Sequence, residues 1–168
     1  MIVIVFGLPG SGKTYFASKL ALRISGLHIS SDAIRQQQQQ RKYHEEDKME
    51  IYHAMLILME KAGPDKNVVL DATFYKERIR NMFKDKARSL GINIYFIEMK
   101  ADELVIKERV SRKRPETEAD FTVYFIIKSQ FEPLKEEHLI LNSDREDLNI
   151  MLDKAEEYIE YRNGPSTD

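Results

Sequence analysis

The chain has 168 residues and no cysteine, a size for one domain, since domains hold roughly 100–200 residues; disulfide frameworks, thiol nucleophiles and cysteine metal sites are excluded. Its 26 basic and 28 acidic residues give a formal net charge of −2, which excludes a protein-wide positive field for nucleic acid but leaves room for a local basic groove. No stretch reaches the roughly 18 apolar residues that cross a bilayer, and the apolar run at residues 1–6 is too short for a signal segment, so a cytoplasmic location is expected.

In chain order, residues 2–6 are a continuous β-branched run ending at Gly7, the pattern of a central strand covered on both faces. Phe16, Ala17, Leu20, Ala21 and Ile24 recur at helical spacing, with Gly26 as the expected stop. Residues 27–30 predict a second strand, and the glutamines at 36–40 a polar helix or loop. Met49, Tyr52, Leu56 and Met59 form a helical stripe closed by Gly63 and Pro64. A third strand is expected at 67–71, ending on Asp71, and a helix through Ile79, Met82, Phe83, Ala87 and Leu90, stopped by Gly91. Residues 92–97 predict the fourth strand, 104–114 a charged helix broken by Pro115, and 121–131 a further amphipathic segment. A last strand at 138–141 precedes a helix marked by Leu148, Leu152, Ala155 and Ile159, and residues 164–168 form a polar tail. Strands alternating with helices predict a single α/β domain over 1–163, with five parallel strands between two helical layers. Ligands of such sheets bind beyond the carboxyl ends of the strands.

The segment Gly7-Leu8-Pro9-Gly10-Ser11-Gly12-Lys13-Thr14 matches G-x-x-x-x-G-K-[ST] in full, after a strand and opening a helix. Glycines allow backbone N–H groups to curl around phosphate oxygens, and the following helix turns its positive end to the same anion. Lys13 can reach the β- and γ-phosphates, and the Thr14 hydroxyl can ligate Mg²⁺. The alternative, a glycine-rich turn with an incidental lysine, has against it the agreement of strand, loop and helix. Gly7, Pro9, Gly10, Ser11, Gly12, Lys13 and Thr14 are therefore the expected nucleotide-binding residues of a P-loop. The loop itself specifies a nucleoside triphosphate; ATPases, GTPases and kinases share it.

Asp32 follows the second strand, where a carboxylate can take the proton of an acceptor hydroxyl, or can cap a helix. Arg35 offers a fork suited to phosphate. Asp71 ends an apolar strand, where a buried charge needs a cation or donors; a metal role stands beside helix capping by Asp71 or Thr73. The basic run 109–114 is either a set of guanidinium groups that close over phosphates or a solvated helix face.

Three blocks, residues 7–14, Ser31-Asp32-Ala33-Ile34-Arg35-Gln36, and Val69-Leu70-Asp71-Ala72-Thr73 followed by Glu77-Arg78, resemble the 5′-hydroxyl polynucleotide kinases and related small P-loop kinases that phosphorylate hydroxyl groups. The resemblance implies a three-layer αβα P-loop fold with a small helical lid at about 101–131. It implies Asp32 as general base, Arg35 on the acceptor's phosphate, Asp71 supporting the metal-bound phosphates or orienting neighbouring arginines, and Arg109 as the first lid arginine. Lys113 stands where the family's lid has a second arginine, so Arg112, counted with the catalytic set, and Arg114, counted with the nucleotide contacts, share that expectation. Phe74 stands where the family often has asparagine.

The expected activity is transfer of the γ-phosphate of Mg²⁺-ATP to a hydroxyl, with a 5′-hydroxyl polynucleotide end as first acceptor. Lys76, Arg78, Arg80, Lys84, Lys86 and Arg88 would line its approach, or form a solvated face. The alternative acceptor is a nucleoside, nucleotide or sugar, with Tyr43, Tyr52 and Phe74 as a stacking wall or simply core; a regulatory ATPase switch is a third reading. Adenine contacts are expected around Asn142 and Ser143. Neither a membrane nor an obligate protein partner is expected.

Overall fold

Every residue of β1 (Ile2–Phe6) is buried, and alternate side chains divide between two cores. Ile2, Ile4 and Phe6 join one apolar cluster, Val3 and Val5 the other. Burying one such side chain is worth about 1.5–3 kcal/mol, so β1 is anchored from both sides and fixes where the following loop begins. The structure is a computed structural model that describes residues 1–37, 45–113 and 118–163, the side chains of 45–47, 112, 113, 118–121 and 163 excepted.

After β1 come α1 (Lys13–Arg23), β2 (Leu27–Ser30), α2 (Ser31–Gln37), α3 (Glu45–Ala62), β3 (Val68–Asp71) and α4 (Glu77–Ser89). Then follow β4 (Ile94–Lys100), α5 (Glu103–Lys113), α6 (Glu118–Gln130), β5 (Leu139–Asn142) and α7 (Leu148–Asn163). The five strands are parallel in the order β2-β3-β1-β4-β5. Phe16, Ala17, Leu20 and Ala21 of α1, with Met151, Leu152, Ala155 and Ile159 of α7, pack with Val3 and Val5. Helices α3, α4 and α6 cover the other face through Ile51, Met55, Ile79, Phe83 and Ile127. This is the expected three-layer αβα P-loop fold. Among the described residues no helix is long and apolar enough to cross a membrane.

Some boundaries differ from expectation for local reasons. The left-handed residue after α1 is Ser25 (φ 51), not Gly26. Gly26 instead admits the Asn67 carbonyl, which would lie 3.0 Å from an added Cβ. β4 starts two residues later than 92 because the Ile92 N–H closes α4 by donating to the Ala87 carbonyl at 2.9 Å. It also runs past 97, since Glu98, Met99 and Lys100 pair with Ile140, Leu141 and Asn142 of β5. Gln36 and Gln37 belong to α2; the rest of the glutamine run and Tyr43 lie outside the described residues.

Candidate functional site

The loop from Gly7 to Gly12 leaves β1 and enters α1 through glycines that the backbone requires. Gly7 has φ 145, and a Cβ there would sit 2.3 Å from the Met99 carbonyl oxygen. Gly12, the N-cap of α1, has φ 86, a left-handed conformation that costs an L side chain steric energy. Lys13 is the first residue of α1, and its Nζ donates to the Leu8 carbonyl at 3.2 Å, across the curve of the loop. Thr14 is exposed in the first turn, Pro9 and Gly10 are half-buried, and Ser11 is buried. The Ser11 Oγ has no hydrogen-bond partner among the described residues.

Asp71 is 1% exposed. It pairs in register with Val5 of β1 and Ser30 of β2. Two residues after Val69, it faces the layer that holds α1. Neither carboxylate oxygen has a hydrogen-bond partner among the described residues, and His28 Nε2 lies 3.6 Å from Oδ2. A buried carboxylate without donors is costly, and such a group facing the start of α1 suits a hard divalent cation. Mg²⁺ typically takes one or two carboxylates and completes its shell with phosphate oxygens and water. Helix capping by Asp71 or Thr73 is overturned: α4 starts at Glu77 with Lys76 as N-cap and no side-chain cap bond.

Asp32 lies within α2, which begins at Ser31, so it does not cap a helix starting at Ala33. Its side chain is 68% exposed and 3.4 Å from Arg35 Nη1. Both charges act on the buried hydroxyl of Tyr52, whose pKa is pushed up chiefly by burial. That hydroxyl hydrogen-bonds Thr73 Oγ1 at 3.1 Å and accepts from the Phe74 N–H at 3.1 Å. The Thr73 carbonyl in turn accepts from the Gly7 N–H at 3.4 Å. Tyr52, Thr73 and Gly7 thus form a hydrogen-bonded path from α3 to the phosphate loop.

Tyr52 and Phe74 are core rather than a stacking wall. Their rings lie 5.3 Å apart, and Phe74 packs on Phe83 at 5.1 Å. Phe74 carries φ 44, a region in which asparagine is tolerated and most side chains are not. Strain of this kind costs of order 1–3 kcal/mol. Here it is held by ring burial, by the Tyr52 hydroxyl on the Phe74 N–H, and by Arg80 Nη1 on the Phe74 carbonyl at 2.7 Å.

Arg109 reaches the loop from α5. Its Nη1 donates to the Gly10 carbonyl at 3.3 Å and to Ser143 Oγ at 2.8 Å, and its Nη2 to the Ser143 carbonyl at 3.0 Å. The side chain of Arg112 and the whole of Arg114 lie outside the described residues. Arg80, expected on a basic face, is 1% exposed. Its Nη2 donates to the Glu132 carbonyl at 2.7 Å. A cavity of about 370 Å³ opens beside the loop, lined by Leu8 and Ser11, by Glu98 and Lys100 of β4, and by Tyr124 and Lys128 of α6.

Among these residues the sequence reading missed the structural part of Tyr52, Arg80 and Ser143. A helical stripe marked Tyr52 as apolar, and nothing in spacing signals that its hydroxyl would meet Thr73. A basic residue inside a charged helix reads as exposed, and only the apolar positions Ile79 and Phe83 on either side of Arg80 hint otherwise.

A gluconokinase from Sinorhizobium meliloti 1021 superposes with a TM-score of 0.68 at 18% identity, over 95% of this chain and 95% of that chain. The Mycobacterium tuberculosis APS kinase CysC, in complex with AMPPNP and APS, gives 0.74 at 14% identity over 95% and 96%. Chaetomium thermophilum Kti12, in complex with ADP-AlF3, gives 0.70 at 19% identity over 94% and 98%. At these identities the likeness establishes a shared P-loop fold. No curated protein matches the sequence. A family model for the AAA domain matches residues 2–134, from β1 through the end of α6. The cradle, the strand order and this match agree: the chain belongs to the AAA domain family.

Proposed function

We propose that the protein is a Mg²⁺-ATP-dependent kinase that phosphorylates a hydroxyl group on a small molecule. The triphosphate half rests on the loop: left-handed Gly10 and Gly12 and the start of α1 converge where Lys13 sits. Thr14 and Asp71 are the residues that would hold Mg²⁺, and bound there the ion supplies charge neutralisation at the β- and γ-phosphate oxygens. Asp32 is proposed as the base and Arg35 as its phosphate-binding neighbour. Asp32 takes the acceptor's proton, the acceptor oxygen bonds the γ-phosphorus, the bridging bond to the β-phosphate breaks, and ADP leaves. Arg112 and Arg114 remain the proposed contacts closing over the phosphates.

One observation carries the choice of a small acceptor. Of the basic residues that would line the approach of a polynucleotide, Arg80 is buried. Lys76 pairs with Glu132, Lys86 with Glu60 and Arg88 with Asp85, each at 3.2 Å, and Lys84 pairs with Glu136. A phosphate backbone is bound by cations it can neutralise itself against, and these already face carboxylates. The cavity beside the loop has the volume of a small-ligand site. The gluconokinase and the APS kinase are, by name, kinases of small molecules. A 5′-hydroxyl polynucleotide end is the competing acceptor.

A transfer screen with γ-labelled ATP across sugars, sugar acids, nucleosides, nucleotides and 5′-hydroxyl oligonucleotides tests the proposal. Label should enter a small acceptor and not the oligonucleotide. Asp32→Asn should then lower kcat by roughly 10²–10⁴-fold while ATP is still bound. Labelling of the oligonucleotide alone would restore the polynucleotide reading, and hydrolysis with no acceptor labelled would favour a switch ATPase.

A further inference from the structure

A loop that turns its amides inward to a phosphate must turn carbonyls outward. Two of those carbonyls are gripped from behind. Arg109 Nη1 donates to the Gly10 carbonyl at 3.3 Å, and Ser143 Oγ donates to the Ser11 carbonyl at 2.8 Å. The two gripping groups are joined to each other: Arg109 Nη1 donates to Ser143 Oγ and Nη2 to the Ser143 carbonyl. Ser143 is itself held by its N–H, which donates to the Lys100 carbonyl at the end of β4 at 2.9 Å. The fit is close. A Cβ on Gly12 would lie 3.1 Å from Ser143 Cβ and Oγ, and one on Gly10 would lie 2.9 Å from Ile106 Cγ2 and 3.1 Å from Val110 Cγ2 of α5.

We infer that Ser143, with Arg109, is a positioning residue that clamps the carbonyl side of the phosphate loop and so sets the curvature of its amides before nucleotide arrives. The inference rests on the proposed triphosphate site and changes the part played by α5. Its arginine works behind the loop rather than over the phosphates, and its apolar residues Ile106 and Val110 form a buttress. Ser143 offers no donor to the phosphates; its one hydroxyl hydrogen is directed at Ser11. Its effect therefore falls on nucleotide affinity and not on the chemical step.

The test uses the full chain with Ser143→Ala, Ser143→Thr and Arg109→Gln. In the nucleotide-free protein, Ser143→Ala should speed amide hydrogen exchange in residues 10–14 at least tenfold, with β1 and the rest of α1 unchanged. By calorimetry, MgADP and MgATP should both bind about tenfold more weakly, and so should magnesium tripolyphosphate, which carries no adenine. Ser143→Thr, which keeps the hydroxyl, should recover most of both losses. Arg109→Gln should speed loop exchange and weaken nucleotide binding as Ser143→Ala does, and adding Ser143→Ala to it should cost little more, because the two groups act as one unit. Loop exchange left unchanged by Ser143→Ala, or a fall in kcat with nucleotide affinity intact, overturns the clamp. If the unaltered chain bound no nucleotide, the triphosphate reading would fall, and the exchange rates of residues 10–14 would still decide the clamp.

Discussion

At the scale of single residues, the link between α3 and the start of the phosphate loop depends on one buried hydroxyl. Tyr52 holds the Phe74 N–H and meets Thr73 Oγ1, and the Thr73 carbonyl joins the start of the phosphate loop through Gly7. Removing the hydroxyl strands a buried backbone donor on a residue already at φ 44. Such a loss costs about 1–3 kcal/mol, whereas the ring contacts with Phe74 and Phe83 would persist. Tyr52→Phe is therefore expected to lower the unfolding free energy by that amount in a denaturant titration, with an unchanged m-value. A loss below about 0.5 kcal/mol would mean that water or a rearranged Phe74 replaces the bond. Burial pushes the Tyr52 pKa up, so the hydroxyl keeps its proton through the neutral range and the link is insensitive to pH there.

At the scale of elements, the segment entering α4 is fastened to the chain leaving α6. Glu132 accepts the Glu77 N–H at 2.6 Å and Lys76 Nζ at 3.2 Å, and its own N–H donates to the Tyr75 carbonyl at 2.8 Å. The Glu77 N–H, then Lys76, hold the Glu132 carboxyl below its ordinary value of 4.5. A depressed pKa in the folded state means that the contribution is complete above about 4.5 and is lost as pH falls through the folded value. Melting temperatures should drop on acidification below that point, and Glu132→Gln should flatten this part of the profile while lowering the plateau. A profile unchanged by the substitution would contradict the fastening. The elements themselves were largely legible from the chain: strand patterns, helical stripes and glycine stops each report a local preference. What escaped was non-local. The end of β4 is charged at Glu98 and Lys100, yet it stays in the sheet because β5 pairs with it. Arg80 sits in a basic helix, yet it is buried, with its guanidinium on the carbonyl of Phe74 just before the helix and on that of Glu132 from the distant segment after α6.

At the scale of the molecule, strand order places the candidate site residues in a line. The ends of β2, β3 and β1 bring Asp32, Asp71 and the phosphate loop together from neighbouring strands, and β4 and β5 place Lys100 and Ser143 behind the loop. The phosphate loop could be read from sequence because its chemistry is a contiguous motif. The ion pairs of Lys76, Lys84 and Lys86 could not, since they depend on carboxylates from α3 and from the segment after α6. The central claim is that the loop from Gly7 to Thr14 takes up a nucleoside triphosphate with magnesium. Titration calorimetry of the intact chain with MgATP, beside Lys13→Ala, tests it most directly. Saturable uptake of one nucleotide per chain, weakened at least tenfold by Lys13→Ala, is the expected result, and no heat of binding from any purine triphosphate would contradict it.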